Sequence, residues 1–236
     1  MLPENPPSLS IVIPAFNEEI RLPSTLQALA DYLEGKKAEI LLVIEPSTDS
    51  TLVIARAFAE SYPSCRILAN DEQRGKGYAV KQGMLAAQGD IIFFMDADLS
   101  VPLATMDAFL AEFAERPDIA ILVGNRQHAG SDIVVDQNWL RRSMGQTFNR
   151  VVRLISGIPL RDTQCGFKAF RKNVVHDLFA AQTINGFAFD VEILLLARKR
   201  GYGMADFPVE WHNSAASKVH ILHDSLRMLW DVWRLR

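Results

Sequence analysis

The sequence predicts an α/β fold with a mostly parallel central sheet flanked by helices. Three observations predict it. Short β-branched runs alternate with helical apolar periodicity through the first half of the chain. The run at residues 91–95, IIFFM, is apolar throughout, as in a strand covered on both faces. The polar stretches follow successive strands, where an open α/β sheet gathers its ligands.

Residues 9–14 read as the first strand. A helix follows, with Pro23 in its first turn and Leu22, Leu26, Leu29 and Leu33 on one face. Residues 39–44 form the second strand and lead into 47–51, whose hydroxyl and carboxylate side chains suit a helix cap. The capped helix carries Val53, Ile54, Ala57 and Phe58. Residues 66–68 give a third strand, and residues 74–77 open a helix that Gly89 is expected to end. The fourth strand is 91–95, followed by a helix over 102–113 and a strand over 119–123. The second half is less regular. Residues 139–156 form a long amphipathic helix with Leu140, Met144, Phe148, Val151 and Ile155 on one side. Residues 167–170 and 206–211 are expected strands, with a helix near 191–200 between them. Residues 221–236 close the chain as an amphipathic helix, giving one domain over 1–220 plus that C-terminal helix.

A hydrophobic fraction of 49% over 236 residues supports a packed core and excludes a disordered chain. Acidic residues number 28 against 25 basic, a net charge of -3, so no global basic field favours nucleic acid and any anion site must be local. Cys65 and Cys165 lack metal-ligand spacing, as in a reduced cytoplasmic protein. Residues 1–7 are polar and proline-rich, unlike a signal peptide. The apolar runs fall short of the roughly 20 residues a membrane-spanning helix needs. The expected location is the cytoplasm, or the cytoplasmic face of a membrane as a peripheral protein.

Four loops at the strand ends carry chemistry. They are Pro14-Ala15-Phe16-Asn17-Glu18, then Glu45-Pro46-Ser47-Thr48-Asp49, then residues 70–77, and Asp96-Ala97-Asp98. Two carboxylates at i and i+2 leaving an extended strand share a side and repel each other, and a hard cation such as Mg2+ or Mn2+ removes that penalty. A lone Asp-x-Asp is also compatible with a polar strand end, so the apolar strand before it matters. Arg74-Gly75-Lys76-Gly77 is no Walker loop, because Asn70, followed by Asp71, stands where that motif needs glycine. Its glycines still let Lys76 and the backbone approach a phosphate or the nearby aspartates.

Taken together, IPAFNEE, RGKGYAVKQGMLAAQGDIIFFMDADLS, DTQCGFKAF, FAFDVEILLLARKRGY and SKV resemble the family-2 glycosyltransferases, specifically the dolichyl-phosphate glucosyltransferase and dolichol-phosphate mannose synthase group. The likeness runs from Leu9 to about Val219. It implies a GT-A fold, the Rossmann-like fold of nucleotide-diphospho-sugar transferases, and an inverting mechanism. It also implies a UDP-glucose or GDP-mannose donor and a polyprenyl-phosphate acceptor. DTQCGFK and FDVE look more like the glucosyl branch. By the same resemblance Pro14, Ala15, Asn17 and Glu18 line the nucleotide site. Asp96, Ala97 and Asp98 face the donor diphosphate, with Asp98 the main metal ligand. Arg126, in Gly124-Asn125-Arg126, holds the acceptor phosphate with help from Arg141 or Arg142, and Lys218 closes over the donor phosphates. One departure is plain: the family's Asp-Asp-Gly-Ser after the second strand is Ile44-Glu45-Pro46-Ser47 here, which leaves Glu45 as the carboxylate to contact the base. The membrane anchor common at the N-terminus of glucosyl members is also missing from the sequence.

A phosphate acceptor is mostly dianionic at neutral pH, its second pKa being about 6, and needs no strong base. A hydroxyl acceptor would need one, and Asp162 is the first candidate. Two other readings remain at this stage: a GT-A transferase with a soluble hydroxyl acceptor, and a nucleotide-sugar binding protein without turnover. On the last helix, Leu222, Leu226, Leu229, Trp230 and Trp233 make an apolar face with Arg227, Arg234 and Arg236 nearby. That face suits either a membrane interface or the protein's own core. The histidines 128, 176, 212, 220 and 223 lack ligand spacing, and Glu192 is expected to tie its helix to a loop.

Overall fold

The computed structural model describes residues 8–126 and 157–212, together with 228, 230–232 and 234. β1 (Leu9–Ala15), β2 (Ala38–Ile44), β3 (Cys65–Ala69) and β4 (Ile91–Met95) alternate with α1 (Leu22–Leu33), α2 (Thr51–Ser61) and α3 (Lys76–Ala86). α4 (Thr105–Glu115) and β5 (Ile119–Asn125) follow. Beyond the gap in description come β6 (Phe167–Arg171), α5 (Lys172–Ala180), α6 (Phe189–Lys199) and β7 (Gly203–Pro208). The seven described strands form one sheet in the order β3-β2-β1-β4-β6-β5-β7. Only β6 runs against the others, pairing antiparallel with β4 and with β5.

The sequence explains this layering. β2 is buried at every position, and β1 and β4 nearly so, as expected of strands covered on both faces. Phe93, Phe109 and Phe167 meet at ring-centroid distances of 5.2 to 6.1 Å, which joins α4 to β4 and β6. Because β1, β2, β4 and β5 all point one way, their following loops converge on one edge of the sheet. The start of β6 joins them there, because β6 runs in reverse.

Several expectations need correction. α3 ends at Ala86, ahead of Gly89. Gly89 serves the sheet instead: a Cβ there would lie 2.6 Å from the backbone of Leu9 and Ser10, and its N–H donates to Ser10 Oγ at 2.7 Å. α4 begins at Thr105, three residues after 102, and ends at Glu115. β7 begins at Gly203, because it pairs from there with Ile119 of β5. α5 was not foreseen. Its Val174-Val175 pair is β-branched, yet Val174, Val175, Leu178 and Phe179 are buried with helical spacing. The expected helix over 139–156 lies outside the described residues. Of the last helix, Met228 and Val232 are buried in the main core and Trp230 is 58% exposed. Among the described residues, no helix is long and apolar enough to cross a membrane.

α3 lies so close to the sheet that a Cβ on Gly83 would strike Val12 and come within 2.9 Å of Val43. Gly83→Ala is expected to lower stability by about 1–3 kcal/mol through overpacking. Denaturant melts read this directly, and a gain in stability, as helix propensity alone would give, would contradict it.

Candidate active site

The first two loops of the edge are latched together by their own polar groups. Asn17 has a φ of 53°, in the left-handed region that asparagine tolerates. Its Oδ1 accepts from Thr48 N at 2.8 Å, and its N–H donates to Ser47 Oγ at 3.0 Å. Glu18 N donates to Thr51 Oγ1, and Ser50 N donates to Glu19. Pro14 and Asn17 are half-buried, while Ala15 and Glu18 are buried. Arg21 grips Glu18 through Nε and Nη2 at 2.6 and 2.5 Å.

Glu45, expected at the base, already has hydrogen-bond partners. It is buried, and its carboxylate accepts from Asn70 Nδ2 at 2.7 Å, Arg74 N at 2.9 Å and Gly75 N at 3.2 Å. Contacting a base would cost it these three bonds. Its visible work is to hold the loop that starts α3.

That loop delivers Lys76. Its Nζ lies 2.6 Å from Asp96 Oδ1, and Phe94's ring is 5.4 Å away. Burial favours the neutral amine, but Asp96 and Asp190 together hold the Lys76 pKa above its ordinary value. Asp96 follows β4 directly, and its N–H donates to Gly166 O at 3.0 Å. A Cβ on Gly166 would collide with the Asp96 carboxylate, so glycine is needed there. Ala97 is buried and accepts from Thr25 Oγ1 at 2.9 Å, which leaves Asp96 and Asp98 on the open side. Asp98 Oδ1 accepts from Ser100 N, and Oδ2 lies 3.7 Å from Arg21 Nη1.

These two carboxylates fit a hard dication. They are oxygen donors, their side chains are 35% and 18% exposed at an open edge, and two nearby cations already offset their charge. Among the described residues, no third acidic, histidine or cysteine side chain completes a metal-holding group. Mg2+ ordinarily fills such a shortfall with water and substrate phosphates.

Beneath this rim lies a pair that sequence reasoning missed. Lys168 Nζ donates to Asp190 Oδ1 and to Cys165 O, both at 2.6 Å, and both side chains are buried. A lysine inside the apolar strand FKAFR was the available signal, since a lysine is seldom buried without a partner. Glu192 behaves as expected, accepting from Thr183 N, Thr183 Oγ1 and Ile184 N.

On the other flank, the loop after β5 brings Arg126 to Asp162. Nε donates to Oδ2 at 2.7 Å and Nη2 to Oδ1 at 3.0 Å, a two-pronged pair. The indole of Trp211 lies 5.8 Å from the guanidinium. Asn125, beside Arg126, is anchored to Asp206 at 2.5 Å. Asp162 is fully buried. Burial alone would raise its pKa, but the charge and hydrogen bonds of Arg126 outweigh that and hold it below the usual range. It is therefore a poor general base, and the base expectation is corrected: Asp162 positions Arg126. The edge brings together Asn17, Glu18, Lys76, Asp96 and Asp98, and Arg126 stands within electrostatic reach of Asp96. Arg141, Arg142 and Lys218 lie outside the described residues. His176 is exposed and His212 pairs with Glu210 at 2.8 Å.

With this geometry established, likeness to known proteins becomes informative. The sequence matches the profile of the family described as glycosyl transferase family 2 over residues 10–179. It is similar to the dolichyl-phosphate beta-glucosyltransferase of Dictyostelium discoideum, 34% identical over 97% of this chain and 73% of that one. The dolichyl-phosphate beta-glucosyltransferase of Saccharomyces cerevisiae is 30% identical over 97% of this chain and 74% of its own. Among solved structures, glucosyl-3-phosphoglycerate synthase from Mycobacterium tuberculosis, crystallised with Mn2+, UDP-glucose and phosphoglyceric acid, superposes with a TM-score of 0.71. It is 19% identical, and the match covers 96% of this chain and 78% of that one. The shared fold is GT-A, as the resemblance implied.

Asp162→Asn is expected to cost about 3 kcal/mol at neutral pH by leaving a guanidinium without its counter-charge. A carboxylate with a depressed folded pKa stabilises fully above its unfolded value, about 3.9, and loses that contribution as pH falls through the folded value. The gap in stability between the parent and the variant should therefore narrow on acidification below about pH 4. Chemical melts across pH 3–7 measure it, and a gap independent of pH would refute the pairing.

Proposed function

The chain belongs to glycosyl transferase family 2, and from that premise we propose that it moves glucose from UDP-glucose to the phosphate of a polyprenyl phosphate of the dolichyl type, with inversion. One observation carries this reading. The sheet edge presents two differently built charge clusters side by side. Asp96, Asp98 and Lys76 suit a donor diphosphate, and the braced Arg126 suits an acceptor phosphate. The relatives named dolichyl-phosphate beta-glucosyltransferases support the acceptor and sugar, and the glucosyl resemblance implies uridine as the donor's nucleoside.

In this mechanism Pro14, Ala15, Asn17 and Glu18 wall the nucleotide, and Asp98 with Asp96 would hold Mg2+ or Mn2+. The metal would offset the charge that grows on the departing nucleoside diphosphate. Lys76 adds positive charge at the same oxygens, and Lys218 is the second cation the resemblance implies for them. Arg126 orients the acceptor phosphate, with Arg141 or Arg142 assisting, because a guanidinium fork matches phosphate geometry. An acceptor oxygen attacks the anomeric carbon from the face opposite the leaving group. The new C–O bond forms as the bond to the diphosphate breaks, and the dianionic acceptor has no proton to lose. This also disfavours a hydroxyl acceptor, since Asp162 is committed to Arg126 as a carboxylate. The intact charge clusters argue for turnover over simple binding.

A lipid acceptor places the work at a membrane surface. The C-terminal helix packs Met228 and Val232 on the core and leaves Trp230 and Arg234 exposed, side chains that suit peripheral contact with a membrane surface.

The direct test is release of nucleoside diphosphate with and without a short polyprenyl phosphate, comparing UDP-glucose with GDP-mannose. Acceptor-dependent release of UDP is the expected result, and GDP release from GDP-mannose instead would transfer the assignment to mannose. Asp98→Asn should lose about 100-fold or more in turnover while melting cooperatively. Arg126→Ala should act mainly through acceptor KM, and an effect confined to donor affinity would overturn its role.

A further inference from the structure

We propose that Lys76 is a built-in stand-in for the divalent cation: its ammonium neutralises Asp96 in the donor-free protein and passes to the donor diphosphate when the metal arrives. This rests on the metal-diphosphate reading above, and it adds an order of events and a residue that sets it.

The geometry points to this exchange in three ways. First, Lys76 Nζ sits 2.6 Å from Asp96 Oδ1, the distance of a charge-assisted hydrogen bond, so that oxygen is already engaged. A dication on the same oxygen would face the ammonium at close range, and like charges there repel strongly. Second, Asp98 is engaged differently. Arg21 lies 3.7 Å from it and is tied through two nitrogens to Glu18, so no cation blocks Asp98 at contact distance among the described residues. A bare metal ion therefore meets Asp98 with its cationic neighbour standing off at 3.7 Å, and Asp96 with an ammonium already at hydrogen-bond distance.

Third, Lys76 can move only by its side chain. Glu45 holds the backbone N–H groups of Arg74 and Gly75 from one side. From the other side, residues 182–186 press on the glycines that flank Lys76. A Cβ on Gly75 would lie 2.7 Å from Asn185 O, and one on Gly77 would lie 2.7 Å from Ile184 O. Gln182 Nε2 donates to Gly77 O, and Glu192 pins this strap through Thr183 and Ile184. With the backbone clamped, the flexible four-carbon stem is the moving part. The face of Phe94 lines its path as a wall that tolerates a cation. The diphosphate brings negative charge for the displaced ammonium, so metal and donor favour each other's binding through Lys76.

Binding of Mn2+ to donor-free protein, followed by the electron paramagnetic resonance signal of the free ion, tests the exchange without turnover. Lys76→Met should bind Mn2+ about tenfold more tightly than the parent, because the competing charge is gone. Lys76→Arg, which keeps the charge, should remain as weak as the parent. With Mn2+ saturating, Lys76→Met should bind UDP more weakly than the parent. Lys76→Gln provides the same readout if the methionine variant fails to melt cooperatively. A folded neutral variant that binds Mn2+ no more tightly than the parent overturns the stand-in alone, provided the parent takes up Mn2+ when UDP is added. A parent that takes up no Mn2+ even with UDP overturns the metal reading and the stand-in together.

Discussion

The binding edge depends on how one carboxylate, Asp96, is seated at the tip of an apolar strand. Ile91–Met95 commits β4 to the core, so the next residue emerges at a fixed place with little freedom. Asp98 follows two positions later, so the charge on Asp96 needs room and a counter-charge. Two neighbours supply them. Gly166 leaves space for the carboxylate and takes the Asp96 N–H on its carbonyl, and Lys76 supplies the opposite charge. Each neighbour is itself held. Gly166 leads into β6, and Lys76 opens a helix whose approach is fastened by Glu45 and by the strap under Glu192.

The two halves of the site solve different problems. The donor half is built from successive parallel strands and the loops after them, the common solution of open α/β sheets. The half proposed for the acceptor is built around a guanidinium fixed by a buried carboxylate, an indole and an anchored neighbour. Rigidity serves both. A phosphate nucleophile gains more from orientation than from chemical activation, because its charge is already present.

Much of this was legible in the sequence, for reasons that can be stated residue by residue. β1, β2 and β4 were readable because their residues are apolar apart from Ser10 and Glu39, which bond each other, and Asp96-Ala97-Asp98 because it follows such a strand. Arg126 needed the family resemblance, since one arginine after a strand carries no signal of its own. What stayed hidden were pairings across sequence distance. Arg126 and Asp162 are 36 positions apart, and Lys168 and Asp190 are 22 apart, so only the folded sheet shows that each consumes the other's charge. The same blindness hid that Asp162 and Glu45 each already have partners. A side chain's type is written in the sequence, but its partners are written in the topology. The α5 segment was missed for another reason: paired valines favour strands locally, and burial at helical spacing overrides that preference.

The reversed course of β6 has a consequence for how such a protein can diversify. Because β5 ends and β6 begins at the same rim, the chain between Arg126 and Gly166 departs from and returns to one side of the sheet. Length can be added between these two points without altering the described pairings of β4, β5 and β6. Such a connection can vary in evolution independently of the loops after β1, β2 and β4, which come from strands on the other side of β6.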